Sequence, residues 1–104
     1  MEINVTDSNF ADVVASGAVV LVDFWAPWCG PCRSLAPTVE KVAQQYEGRA
    51  VVAKCNVDEC EDVPANLGIR SIPTLIYFKG GVEAARSMGA VPQSQIEQTL
   101  DSLL

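Results

Sequence analysis

The sequence predicts a three-layer α/β domain, a central mixed β-sheet flanked by helices on both faces, and three observations carry that prediction. An almost unbroken apolar run from Ala18 to Trp25, rich in valine, has the composition of a strand covered on both faces, as parallel pairing requires. Helical periodicity follows from Pro31 to about Tyr46, and a second strand-like run occupies Ala50 to Val57. A Gly80-Gly81 pair between two further runs signals a hairpin, which adds antiparallel strands to the parallel ones.

Each element has its own physical signature. Near the N-terminus, Phe10, Val13 and Val14 mark a short amphipathic helix ahead of the Ala18–Trp25 strand. In the long helix Leu35, Val39, Val42, Ala43 and Tyr46 share one face, and Pro37 inside the pattern predicts a kink. Asp62 to Leu67 reads as a short helix capped by Asp62 and stopped by Gly68. Thr74 to Phe78 and Val82 to Met88 flank the Lys79-Gly80-Gly81 turn. At the C-terminus Ser94 and Glu97 read as a capping box ahead of Ile96, Leu100 and Leu103. The predicted order is β-α-β-α-β-α-β-β-α, with no repeat, linker or low-complexity tract, so the sequence reads as one domain over 1–104.

A chain of 104 residues that is 49% hydrophobic is long enough for one real core and too short for two. Its formal charge of −6, spread along the chain, speaks against nucleic acid or an anionic membrane surface as partner. Met1 to Asp7 lack a basic and then apolar leader pattern, and no apolar run approaches a membrane span, so the expected location is cytoplasmic. In a reducing compartment two cysteines with two residues between them are more often catalytic or metal-binding than a structural staple.

Trp28-Cys29-Gly30-Pro31-Cys32-Arg33 carries the chemistry. At a helix start, residues i and i+3 share a face with Cβ atoms roughly 5–6 Å apart, within the geometry a disulfide needs. The pair can therefore close and reopen with little backbone movement. Pro31 fits the first turn, where its missing N–H costs nothing, and it stiffens the loop. Unpaired N–H groups and the helix dipole favour a thiolate at Cys29, which makes Cys29 the expected nucleophile, exposed at the helix tip. A structural zinc site is the competing reading of four cysteines. The spacing of Cys55 and Cys60 does not continue a zinc-ribbon pattern, and the chain has no histidine to complete one.

Asp23 sits inside the buried strand among Leu21, Val22, Phe24 and Trp25, where a carboxylate is costly to ionise. A carboxyl poised near neutrality beneath the dithiol could take a proton from Cys32, which makes Asp23 a candidate general base with Lys54 as its charge partner. Trp28 is expected as a flat contact surface and Trp25 as a core side chain. Pro73, judged by composition, would follow a trans bond. Cys55 is expected as a small buried hydrophobe, and Cys60 as a semi-exposed thiol open to oxidation.

Asp23-Phe24-Trp25-Ala26-Pro27-Trp28-Cys29-Gly30-Pro31-Cys32, then Lys54, then Gly68-Ile69-Arg70-Ser71-Ile72-Pro73-Thr74, resemble the thioredoxin family essentially end to end. The resemblance implies the thioredoxin fold and activity as a protein-disulfide reductase. It also implies a cis bond before Pro73, and substrate contacts from Ile72 and Pro73. Met88, Gly89 and Ala90 would complete an apolar contact surface with Trp28, Gly30 and Pro31, and the family's buried acid and lysine fall on Asp23 and Lys54. It further implies disulfide-containing client proteins, a flavoprotein thioredoxin reductase as electron donor, and a monomer with no bound cofactor or metal. Pro27 and Arg33 depart from the commoner Glu and Lys of the family, and Cys55 and Cys60 lie outside its motif. Two rival functions remain: an oxidant or isomerase, less favoured by the Gly-Pro pair between the cysteines, and a non-catalytic binding module using the same apolar rim.

Overall fold

Strand β2 (Val19–Trp25) is the axis of the molecule, because all its residues except Trp25 are buried. The computed structural model describes residues 2–104. Within them the order is β1 (Ile3–Asn4), α1 (Phe10–Val14), β2, α2 (Gly30–Gln45), β3 (Val51–Asn56), α3 (Asp62–Asn66), β4 (Thr74–Lys79), β5 (Val82–Met88) and α4 (Gln93–Leu103). The five strands form one sheet in the order β1-β3-β2-β4-β5. β1, β3 and β2 run parallel, while β4 and β5 are antiparallel to their neighbours, which makes the sheet mixed as expected.

Alternation along β2 sorts the core into two halves. Val20, Val22 and Phe24 pack with Val13 and Val14 of α1 and Val63 of α3. Val19 and Leu21 pack with Leu35, Val39 and Val42 of α2 and Ile96 and Leu100 of α4. Asp23, by the same alternation, belongs to the face that α2 covers. No helix among the described residues is long and apolar enough to cross a membrane.

Helix boundaries follow the sequence closely, but two caps differ from expectation. α3 begins at Asp62, and Asp62 does not cap it. The carboxylate of Asp7 accepts instead from the backbone N–H groups of Glu61, Asp62 and Val63, at 3.0, 3.3 and 3.0 Å. Gly68 does stop α3: at φ +69° its N–H donates to the Ala65 carbonyl and the next N–H, of Ile69, to the Pro64 carbonyl, a left-handed terminus that glycine adopts without strain. α4 starts at Gln93 with Pro92 at the N-cap, so Ser94 is already helical and no capping box forms. Glu97 accepts from the Gln93 side chain at 2.8 Å instead. α2 continues through Pro37, whose ring stands on the exposed side. The turn at Gly80 and Gly81, with φ of +61° and +80°, is the hairpin that a Gly-Gly pair encodes.

Candidate active site

β2 ends at Trp25 on the C-terminal edge of the sheet, and a short loop delivers Cys29 to the N-cap of α2. The Cys29 N–H donates to the Ala26 carbonyl at 3.1 Å, and the Arg33 guanidinium donates to the Pro27 carbonyl at 3.0 Å, which pins the loop. Cys29 and Cys32 form a disulfide with Cα atoms 5.2 Å apart. Cys29 is extended (φ −89°, ψ 113°), as an N-cap should be, and its Sγ accepts from the Cys32 N–H at 3.2 Å. A capping sulfur at the head of a 16-residue helix sits where donors and the dipole both stabilise negative charge.

The expectation of an exposed Cys29 is corrected: in this disulfide form it retains 6% of its surface and Cys32 retains 2%. The two sulfur side chains pack with Ala26 in a small apolar cluster against Trp25, Val57 and Ile72. Cys29 Sγ lies 3.8 Å from the Ile72 carbonyl oxygen, so the loop before Pro73 stands directly against the dithiol.

Asp23 is 1% exposed. Its carboxyl is pushed up to about 7, chiefly by burial, with Lys54 opposing that rise and Glu2 adding to it. Its Oδ1 has no hydrogen-bond partner among the described residues. Asp23 stands opposite Lys54 in the β2–β3 register. Lys54 is only partly buried, and its Nζ lies 4.4 Å from the centre of the Trp25 ring, over its face. Trp25 is correspondingly half-buried rather than a full core residue.

Ile72-Pro73 is cis. The reading from composition alone is therefore corrected, and the one from resemblance holds. The Gly89 N–H donates to the Pro73 carbonyl at 2.8 Å, and Met88 pairs with Thr74, so Met88 and Gly89 are tied to the loop that faces the cysteines, with Ala90 next in the chain. Gly89 has φ +87°, a conformation that favours glycine at this crossing. Pro73 is buried, whereas Met88 and Trp28 are each 66% exposed. The Trp28 indole N–H donates to the Asp58 carboxylate at 2.9 Å, which fixes the ring at the rim. An apolar groove of about 200 Å³ runs between Trp28 and Ile72, floored by Val57, Pro64 and Ile69. Asp58, Val57 and Pro64 escaped the sequence reading as site residues, since the turn after β3 and helix α3 bring them to the groove only in the folded chain. A larger cavity of about 330 Å³ lies at the opposite end of the sheet, beside Val19 and Val51.

Cys55 and Cys60 are free and buried. For Cys60 this corrects the expectation of a semi-exposed thiol. A turn after β3 folds it back until its Sγ reaches the Val5 carbonyl at 3.5 Å, inside the α1/α3 half of the core. Burial, first, and the Cys60 thiol, second, push the Cys55 thiol up, so it is inert at neutral pH. Among the described residues no group of three or more His, Cys, Asp or Glu side chains converges as a metal site would require.

The sequence model of the Thioredoxin family matches residues 2–102. Thioredoxin 1 of Nostoc sp. is 55% identical over 101 residues, spanning 96% of this chain and 94% of that protein. The thioredoxin of Pseudomonas aeruginosa is 46% identical over 101 residues, with the same two coverages of 96% and 94%. Among solved structures, a mutant thioredoxin from Halobacterium salinarum superposes with a TM-score of 0.92 at 35% identity, covering 98% of this chain and 89% of that one. With this fold and a Cys29–Cys32 disulfide at the head of α2, the chain is a thiol–disulfide oxidoreductase that reduces protein disulfides by exchange, and it belongs to the thioredoxin family.

Proposed function

We propose that Cys29 and Cys32 act in fixed order. The Cys29 thiolate attacks one sulfur of a client disulfide and expels the other as a thiolate, leaving a mixed disulfide. Cys32 then gives its proton to Asp23 and attacks the Cys29 sulfur, which releases the second client thiolate and closes the Cys29–Cys32 disulfide. Two electrons have passed from the pair to the client. The observation that carries this order is the Cys32 N–H aimed at Cys29 Sγ from the head of α2, a stabilisation that Cys32 itself lacks.

The other residues have supporting roles in this reading. Lys54 keeps the ionised form of Asp23 accessible in spite of burial. Gly30 and Pro31 shape the turn between the sulfurs. Trp28, Ile72, Pro73, Met88, Gly89 and Ala90 present the surface against which the client's chain lies, next to the sulfur that it must reach. A flavoprotein thioredoxin reductase reopens the closed disulfide. The protein acts as a cytoplasmic, single-domain monomer, in keeping with a chain able to bury its own core.

The test is a pair of variants. Cys29→Ser should lower insulin disulfide reduction by at least about 100-fold, as loss of a nucleophile does. Cys32→Ser should still attack and should accumulate mixed disulfides with client proteins in lysate. An absence of trapped partners with Cys32→Ser, or trapping with Cys29→Ser in its place, would reverse the order. The isomerase alternative is decided by the reduction potential, which a reductase places below that of a thiol-oxidising catalyst.

A further inference from the structure

Glu2 has no counterpart in the roles above, yet strand alternation places it on the same face of the sheet as Asp23 and Lys54. β1 runs parallel to β3 with Ile3 opposite Ala53 and Asn4 opposite Lys54. Side chains alternate between faces, so Ile3 turns with Ala53 towards α1 and α3. Glu2, one residue earlier, turns towards α2 with Lys54 and Asp23. There it lines a cleft of about 180 Å³ with Glu40, Ala43 and Gln44 of α2. Its Oε1 is buried without a hydrogen-bond partner, and so is Asp23 Oδ1.

Two carboxyl groups thus compete for one ammonium. Lys54 makes no ion pair within 4.0 Å with either acid among the described residues, its Nζ lying over Trp25 instead. A single cation placed between two acids at this depth stabilises each less than it would stabilise one alone. The charges that face Asp23 are Lys54 of β3 and Glu2 ahead of β1. Those that face Glu2 are Lys54 and Glu40 of α2, with Glu47, just past the end of α2, lining the same cleft. Lys54 favours ionisation of both acids, while Glu2 opposes ionisation of Asp23.

We propose that Glu2 is a positioning residue for the proton step: by sharing the Lys54 ammonium it keeps Asp23 balanced between its acid and carboxylate forms instead of letting Lys54 lock it as an anion. This deepens the assignment of Asp23 as proton acceptor and rests on it. Glu2 touches neither sulfur nor client, and it acts only through the charge balance around Asp23.

The experiment follows the Asp23 carboxyl carbon by NMR through a pH titration of the full chain, wild type and Glu2→Gln. Glu2→Gln should lower the Asp23 midpoint by about half a unit, the effect of one charge removed across a partly shielded interior. Glu2→Asp should recover part of the wild-type midpoint, and Lys54→Gln should move it the other way. An unchanged or raised midpoint in a Glu2→Gln protein that keeps its melting temperature would overturn the proposal. Stopped-flow rates of mixed-disulfide resolution against pH separate the two assignments. If the Asp23 midpoint falls but the resolution profile stays fixed, Asp23 is not the proton acceptor, and the role given to Glu2 in the reaction goes with it.

Discussion

Asp23, held in the core, lowers the stability of the fold wherever its carboxyl would ionise in the unfolded chain. Its carboxyl titrates at about 7 when folded against an ordinary 3.8, so between those values the folded protein holds a proton that the unfolded chain has lost. Stability therefore falls as pH rises through that window and levels off above it. Asp23→Asn removes the ionisation: its melting temperature should exceed that of the wild type at pH 8, by an amount worth a few kcal/mol, and the gap should close towards pH 4. Equal melting temperatures at pH 8 would show that burial does not raise the carboxyl above its ordinary range. The same variant should slow resolution by Cys32 and flatten its pH dependence near neutrality. Burial of Asp23 was legible in the sequence, because six of the seven residues of its strand are apolar. Burial of Cys60 was not, because it depends on a contact with Val5, 55 positions away.

Helix ends divide along the same line. The stop of α3 is local chemistry and was readable: Gly68 at φ +69° has nothing within 4 Å of where a Cβ would stand, so Gly68→Ala suffers backbone strain alone. Its expected cost is about 1 kcal/mol, seen as a lower denaturation midpoint at unchanged slope, with a smaller loss for Asn. The start of α3 was misread, because Asp62 has the right residue type in the right place while the bonds come from Asp7, 54 to 56 positions earlier. Those backbone bonds lower the Asp7 pKa. Its contribution is present above the ordinary carboxylate range and is lost as pH falls through the folded value. Asp7→Ala should therefore lower the melting temperature at pH 7 and make no difference at strongly acidic pH, whereas Asp62→Ala should leave it near that of the wild type at both. The Ser94–Glu97 pattern failed for a related reason: Pro92 already has the extended backbone of an N-cap, so the helix starts before the serine.

The molecule as a whole places an acidic, well-packed body behind one apolar rim. The order of elements along the chain and helices on both faces were legible from periodicity, and the mixed sheet from the Gly80-Gly81 hairpin, whereas the lateral order of the strands was not. The location of the dithiol at the strand-to-helix junction followed from the element order. Trp28 and Ile72 were readable as contact residues through the resemblance, but the groove floor at Val57 and Pro64 was not, since it forms only when separate loops and α3 converge. That convergence predicts a division between chemistry and recognition. Trp28→Ala should raise KM for a protein disulfide several-fold while leaving the rate with a small aromatic disulfide near that of the wild type. Equal losses with both substrates would place Trp28 in support of the thiols instead of the client.

The most direct measurement of the central claim is the order in which the cysteines of the reduced protein react with limiting iodoacetamide, followed by mass spectrometry across pH. Cys29 should be alkylated first, with a midpoint well below the value of about 8.5 for a free thiol, and Cys55 and Cys60 should stay unmodified until the fold opens. Reaction beginning at Cys32, or at Cys29 only with the midpoint of an ordinary thiol, would contradict the account.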